Sequence, residues 1–128
     1  MSFIEFNPNP KAKRVGDCSV RAICRALDQD WDTAFLELAV IAMREYDMPS
    51  ANYIWGLLLQ EKGFTMRSLP VICPNCSTVA EFCRDHPEGT FVLVCDGEHV
   101  VTAIDGCWYD TWDSGDSVVL YFYEKQEE

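Results

Sequence analysis

Cysteine, histidine and aspartate occur in this chain at three separated places with different local settings. Gly16-Asp17-Cys18 stands where a polar loop gives way to a helical pattern, His99 opens a β-like run, and Asp110 lies in the next run. A cysteine at a helix start sits among unsatisfied backbone N–H groups and the positive end of the helix dipole, which favour the thiolate. The N–H of Cys18 itself is a natural donor to an oxyanion. An imidazole at the start of a strand can take the thiol proton as base and return it as acid. The runs holding His99 and Asp110 are joined by a turn at Asp105-Gly106, and antiparallel pairing about it sets residues whose numbers sum to about 211 opposite each other. His99 then faces Trp112 and has Asp110 diagonally beside it, the orienting position of a nucleophile–base–orienter set. Trp112 can cover the His–Asp contact and exclude water.

The elements that must position these groups are legible from the pattern. Phe3 to Pro10 alternates weakly and meets Asn7-Pro8-Asn9-Pro10, an extended arm or turn. From Cys18, Val20, Ile23, Cys24 and Leu27 recur at helical steps, in a helix that ends near Asp28-Gln29-Asp30. Asp30 or Asp32 caps a second helix running to about Tyr46, with Phe35, Leu38, Ala39, Ala42 and Met43 inward. A third helix follows Pro49-Ser50, packs through Tyr53, Ile54, Leu57 and Leu58, and ends near Gly63. Phe64–Leu69 reads as a strand, Pro70–Ser77 as a loop, and Thr78 with Glu81 as the capping box of a short fourth helix. Thr90–Cys95, His99–Ile104, Cys107–Trp112 and Ser117–Tyr123 are β-branched or aromatic runs separated by turn pairs. Helices first and hairpin-linked strands afterwards predict one α+β domain over residues 1–128, an N-terminal helical layer on an antiparallel sheet.

Charge narrows the function classes. The 128 residues hold 21 acidic and 10 basic side chains, a formal charge of −11. Up to Ala80 the balance is nearly neutral, whereas from Glu81 onward twelve acids face only Arg84 and Lys125. Such a surface repels nucleic-acid phosphates and suits a basic partner, or simply keeps the protein soluble. No apolar run approaches the roughly 18–20 residues of a membrane span, so no membrane partner is expected. Met1–Pro10 has no basic start or apolar stretch of a signal peptide, which predicts a cytoplasmic protein with reduced thiols.

The segments GDCSVRAICRAL and HVVTAIDGCWYDTWD resemble the papain-like cysteine peptidase superfamily in its small bacterial and phage-type forms. The first is also similar to the GDGNCLFRA segment of ovarian-tumour-type deubiquitinases. The second is closer in style to bacteriocin-leader peptidases and bacterial effector proteases. The resemblance implies a papain-like fold and a cofactor-free thiol hydrolase or acyltransferase acting on a peptide or amide bond. It makes Cys18 the nucleophile, His99 the general base and Asp110 the orienter. Papain-type enzymes place an oxyanion glutamine about six residues before the cysteine; here that position is Ala12, so Asn7, Asn9 or Asp17 would have to substitute.

Other readings stand beside this one. Cys18 alone is compatible with a buried first helical residue, His99 with a satisfied strand histidine, and Asp110 with a turn-proximal acid. A papain-like module without activity, binding a basic protein through its acidic face, is the alternative function. Cys73, Cys76, Cys83 and His86 form a C-x2-C…C-x2-H set of four zinc-type ligands. The halves are close together, however, and Cys83 has the apolar neighbours Val79 and Phe82 of a core position. Cys24, Cys95 and Cys107 read as small core hydrophobes. The acidic turn around Asp113, Ser114, Gly115 and Asp116 reads as a solvated hairpin.

Overall fold

A computed structural model describes residues 1–70 and 72–126. Val71, within the expected Pro70–Ser77 loop, and the last two residues lie outside the described set. In chain order the elements are β1 (Phe3–Glu5), α1 (Cys18–Leu27), α2 (Trp31–Glu45), α3 (Asn52–Glu61), β2 (Phe64–Ser68), β3 (Ser77–Thr78), α4 (Val79–Asp85), β4 (Thr90–Cys95), β5 (His99–Ile104), β6 (Cys107–Asp110) and β7 (Val118–Lys125). Among the described residues these make four helices on a seven-stranded mixed sheet, with strand order β1-β6-β5-β4-β7-β2 and β3 on β7.

Turn chemistry explains the local successes. Asp105 and Gly106 both take positive φ, 50° and 80°, the backbone a two-residue hairpin demands. Register follows: Thr102 faces Tyr109, Ala103 faces Trp108 and Ile104 faces Cys107. The capping box is formed, with Thr78 Oγ accepting from the Glu81 N–H and the Glu81 carboxylate accepting from the Thr78 N–H.

Two features correct the expected architecture. The sheet is mixed rather than antiparallel, because the N-terminal arm forms β1 and pairs parallel to β6, Phe3 beside Trp108 and Glu5 beside Asp110. The sheet is also covered on both faces. Val92, Val94, Val100 and Tyr123 pack with α1, α2 and α3. Phe91, Leu93, Cys95, Val101 and Phe122 pack with Val79, Phe82 and Cys83 of α4. A central strand buried on both sides has no polar alternation, which is why Thr90–Cys95 reads as one apolar run. Its fully buried leucine and valines each contribute about 1.5–3 kcal/mol relative to exposure.

The helix faces were only partly specified by sequence. In α2 the buried residues are Ala34, Leu38, Ile41 and Ala42, while Phe35 and Met43 are exposed, as is Tyr53 of α3. Leu36 and Val40 are exposed as well, so α2 is apolar nearly all round and its periodicity does not single out a face. The buried Tyr123 side chain of β7 reaches to α3, where a Cβ on Gly56 would stand 2.6 Å from its hydroxyl. Any larger residue there forces Tyr123 to shift, and glycine stands in mid-helix despite a propensity penalty of about 1 kcal/mol.

Candidate active site

Helix α1 lies against β5, tied to it by the Thr102 hydroxyl donating to the Ala22 carbonyl at 2.7 Å. That docking sets the helix start beside the start of β5. His99 Nε2 meets Asp110 Oδ2 at 2.6 Å, so Nδ1 is the ring nitrogen left for Cys18. Burial alone would push the Cys18 thiol up, but the adjacent His99 side chain and Val100 backbone, with the charges of His99 and Arg21, bring it below its ordinary value. Burial likewise works against the His99 cation, yet Asp110 and Cys18 outweigh it and raise the imidazole to about 9. Asp110, despite burial, is held below the usual carboxylate value by His99, Ser114 and the Thr111 N–H. Both shifts favour a thiolate–imidazolium pair over the neutral thiol and imidazole.

Asp110 is fully buried, and its four contacts define it. Beyond His99, it accepts from Ser114 Oγ at 2.6 Å, from the Thr111 N–H at 2.8 Å, and from Arg21 Nη2 at 3.0 Å. Arg21, whose side chain is only 6% exposed, also donates to Asp17 Oδ1 at 2.9 Å. Asp17 Oδ2 in turn accepts from the Trp31 indole at 3.0 Å. A buried charge is tolerated only when paired and hydrogen-bonded, and here one guanidinium serves two carboxylates, fixing the start of α1 against β6.

This network corrects the expected role of Asp17. Aspartate is a preferred N-cap, but the Asp17 carboxylate is turned to Arg21 and Trp31, and no side chain caps α1. It is therefore not an oxyanion donor. Its diversion leaves the first-turn N–H groups of α1 free of a side-chain acceptor, and they can serve an oxyanion instead. Asn9 is not brought to Cys18 either. It lines a different cavity, with Trp31 and Asp32, and its Oδ1 accepts from the Lys11 and Lys13 N–H groups. Asn7 is engaged in the same loop, accepting from the Asn9 N–H and donating to the Lys13 carbonyl. Trp112 lies over His99, ring centroids 4.9 Å apart, with its outer part exposed.

Arg21, Ser114 and Trp31 were not anticipated. Arg21 had a signal: it lies four residues after Asp17 and three before the inward-facing Cys24, a cation on an apolar helix face. Ser114 had none, since a serine in an acidic turn reads as solvated; in the structure it is 1% exposed. Asp113 of that turn accepts from the Trp108 indole and the Gly115 N–H.

The four zinc-type residues do not converge. Cys73 and Cys76 are joined in a disulfide, their Cα atoms 4.6 Å apart across the turn, which corrects the expectation that all seven cysteines are thiols. Cys83 is buried with Phe82 in the core, and burial pushes it up to about 12. His86 stacks on Phe82, and its Nδ1 bonds the Phe82 carbonyl. No group of three or more potential metal ligands occurs among the described residues, and no described helix is long and apolar enough to cross a membrane.

Cys18 opens onto a cavity of about 500 Å³ whose lining includes Gly16, Ala51, Asn52, Trp55, Glu98 and Val100. Larger or more apolar hollows lie elsewhere, at the opposite end of the sheet and between α2 and α3. Of these three hollows, the one beside Cys18 is lined by a thiol. Compared with known proteins, the chain is matched by no family model, no curated protein and no solved structure.

Proposed function

We propose that this protein is a papain-like cysteine hydrolase or acyltransferase acting on a peptide or amide bond. Cys18 attacks the carbonyl, the first-turn N–H groups of α1 receive the oxyanion, and His99 gives its proton to the leaving amine. Water, or an amine acceptor, then releases the acyl group from sulfur, with His99 accepting its proton. Asp110 keeps the imidazole oriented. The observation that carries this reading is the His99–Asp110 contact at 2.6 Å beside a helix-start thiol lowered from its ordinary value.

The test is site-resolved alkylation. Limiting iodoacetamide is applied from about pH 5 to 9, and every cysteine is mapped in the wild type and in His99→Ala. Preferential labelling of Cys18 below about pH 7 that is lost in the variant is the expected result. Uniform or absent labelling of Cys18 overturns the catalytic reading. The acidic C-terminal part then favours the second one, a papain-like module that binds a basic protein.

A further inference from the structure

The cavity beside Cys18 has a polarity of its own. Apart from the thiol, Glu98 is the one ionisable side chain among the described residues lining it, and the rest are small, neutral or aromatic. Glu98 is held in the left-handed region at φ 59° in the turn that leads directly into His99, a conformation a glutamate rarely adopts. The turn spans only Asp96 to Glu98 between the paired residues Cys95 and His99, so its carboxylate is anchored to the strand that carries the base. On the far wall the first turn of α3 begins at Asn52 without a side-chain cap, leaving backbone N–H donors for a peptide's carbonyl groups.

Resting on the peptidase reading above, we infer that this cavity binds the acyl side of the substrate and selects a lysine or arginine side chain there, with Glu98 as its counter-charge. The walls supply apolar contact for the stem of such a side chain, whose charged head reaches the rim. Acidic and neutral side chains lack that partner.

Matched tripeptide vinyl sulfones test this, each carrying lysine, norleucine or glutamate at one of the three positions before the electrophile. Second-order inactivation rates at Cys18 are divided by the iodoacetamide rate of the same variant, which removes differences in thiolate reactivity. In the wild type, lysine should outpace norleucine by about 5-fold at one position, the advantage shrinking with added salt. Glu98→Gln should bring the ratio to about one, and Glu98→Lys should turn the preference toward glutamate. A lysine-to-norleucine ratio near one at every position, with Cys18 still alkylated preferentially at pH 6, overturns the selectivity and leaves the thiolate reading standing. So does a ratio that Glu98→Gln leaves unchanged. Loss of preferential alkylation in the wild type overturns both.

Discussion

The starts of α1 and α4 pose the same physical problem and resolve it in opposite ways. Thr78 caps α4 with a reciprocal side-chain bond to Glu81, and Cys83 within that helix is buried, its thiol pushed up to about 12. At α1 the cap residue is an aspartate whose carboxylate faces away, and Cys18 at the first helical position is lowered. A capped start contributes stability of about 1 kcal/mol. An uncapped start keeps its N–H groups and partial positive charge for something else. Had the Asp17 carboxylate capped α1, it would also have set a negative charge beside the sulfur and opposed the thiolate. Arg21 and Trp31 hold it away, so the buried network and the lowered thiol are two results of one arrangement.

The comparison breaks most severely at Arg21. Arg21→Met leaves Asp17 and Asp110 buried without their shared cation, and unfolding in urea should show a loss of about 3–5 kcal/mol. Thr78→Ala, at the other helix, should cost only about 1 kcal/mol and leave the pH profile of Cys18 alkylation where it was.

Between these in size lies His99→Ala. Cys18 alkylation at pH 6 should fall at least about 10-fold, because the thiol loses the neighbour that lowers it. The same variant gives a sign to test. The folded imidazole titrates at about 9 against 6.5 for an unperturbed histidine, so its favourable interactions are fully present below about pH 6.5 and are lost as pH rises through about 9. The stability gap between wild type and variant should therefore narrow between those limits, as urea unfolding at a series of pH values will read. An effect on reactivity smaller than that of His99→Ala is expected of Ser114→Ala. It removes one bond to Asp110, strengthens the remaining pull on His99 and moves the imidazole slightly upward, visible by NMR titration of the ring protons.

Much of this contrast could be read before any coordinates. The Thr78/Glu81 box, the hairpin at Asp105-Gly106 and its register depend on residues close in sequence, where turn and cap chemistry dominate. The proximity of Cys18, His99 and Asp110 was reachable because the hairpin register fixes two of them and the helix start fixes the third. The direction of the Asp17 side chain was not reachable, since it depends on Arg21 and Trp31 competing for it in three dimensions. Nor was β1: Phe3–Glu5 carries no turn or period that identifies Trp108–Asp110, over a hundred residues later, as its neighbour. The second helical layer was also hidden, because a seven-residue helix such as α4 gives too few turns for its buried face to announce which side of the sheet it covers.

That long-range pairing of β1 with β6 has a consequence for the life of the molecule on the ribosome. The strand beside Asp110 and the helix bearing Cys18 are made first, whereas His99 and Asp110 are made after most of the chain has emerged. Chains synthesised from the N-terminus expose their early segments before the late ones exist. A nascent chain thus carries Cys18 as an ordinary thiol with neither its proton acceptor nor the carboxylate that anchors Arg21. On the proposed reading, the activated thiol forms only when the start of α1 meets the hairpin carrying His99 and Asp110. A chain lacking that hairpin keeps only the ordinary reactivity of a free cysteine.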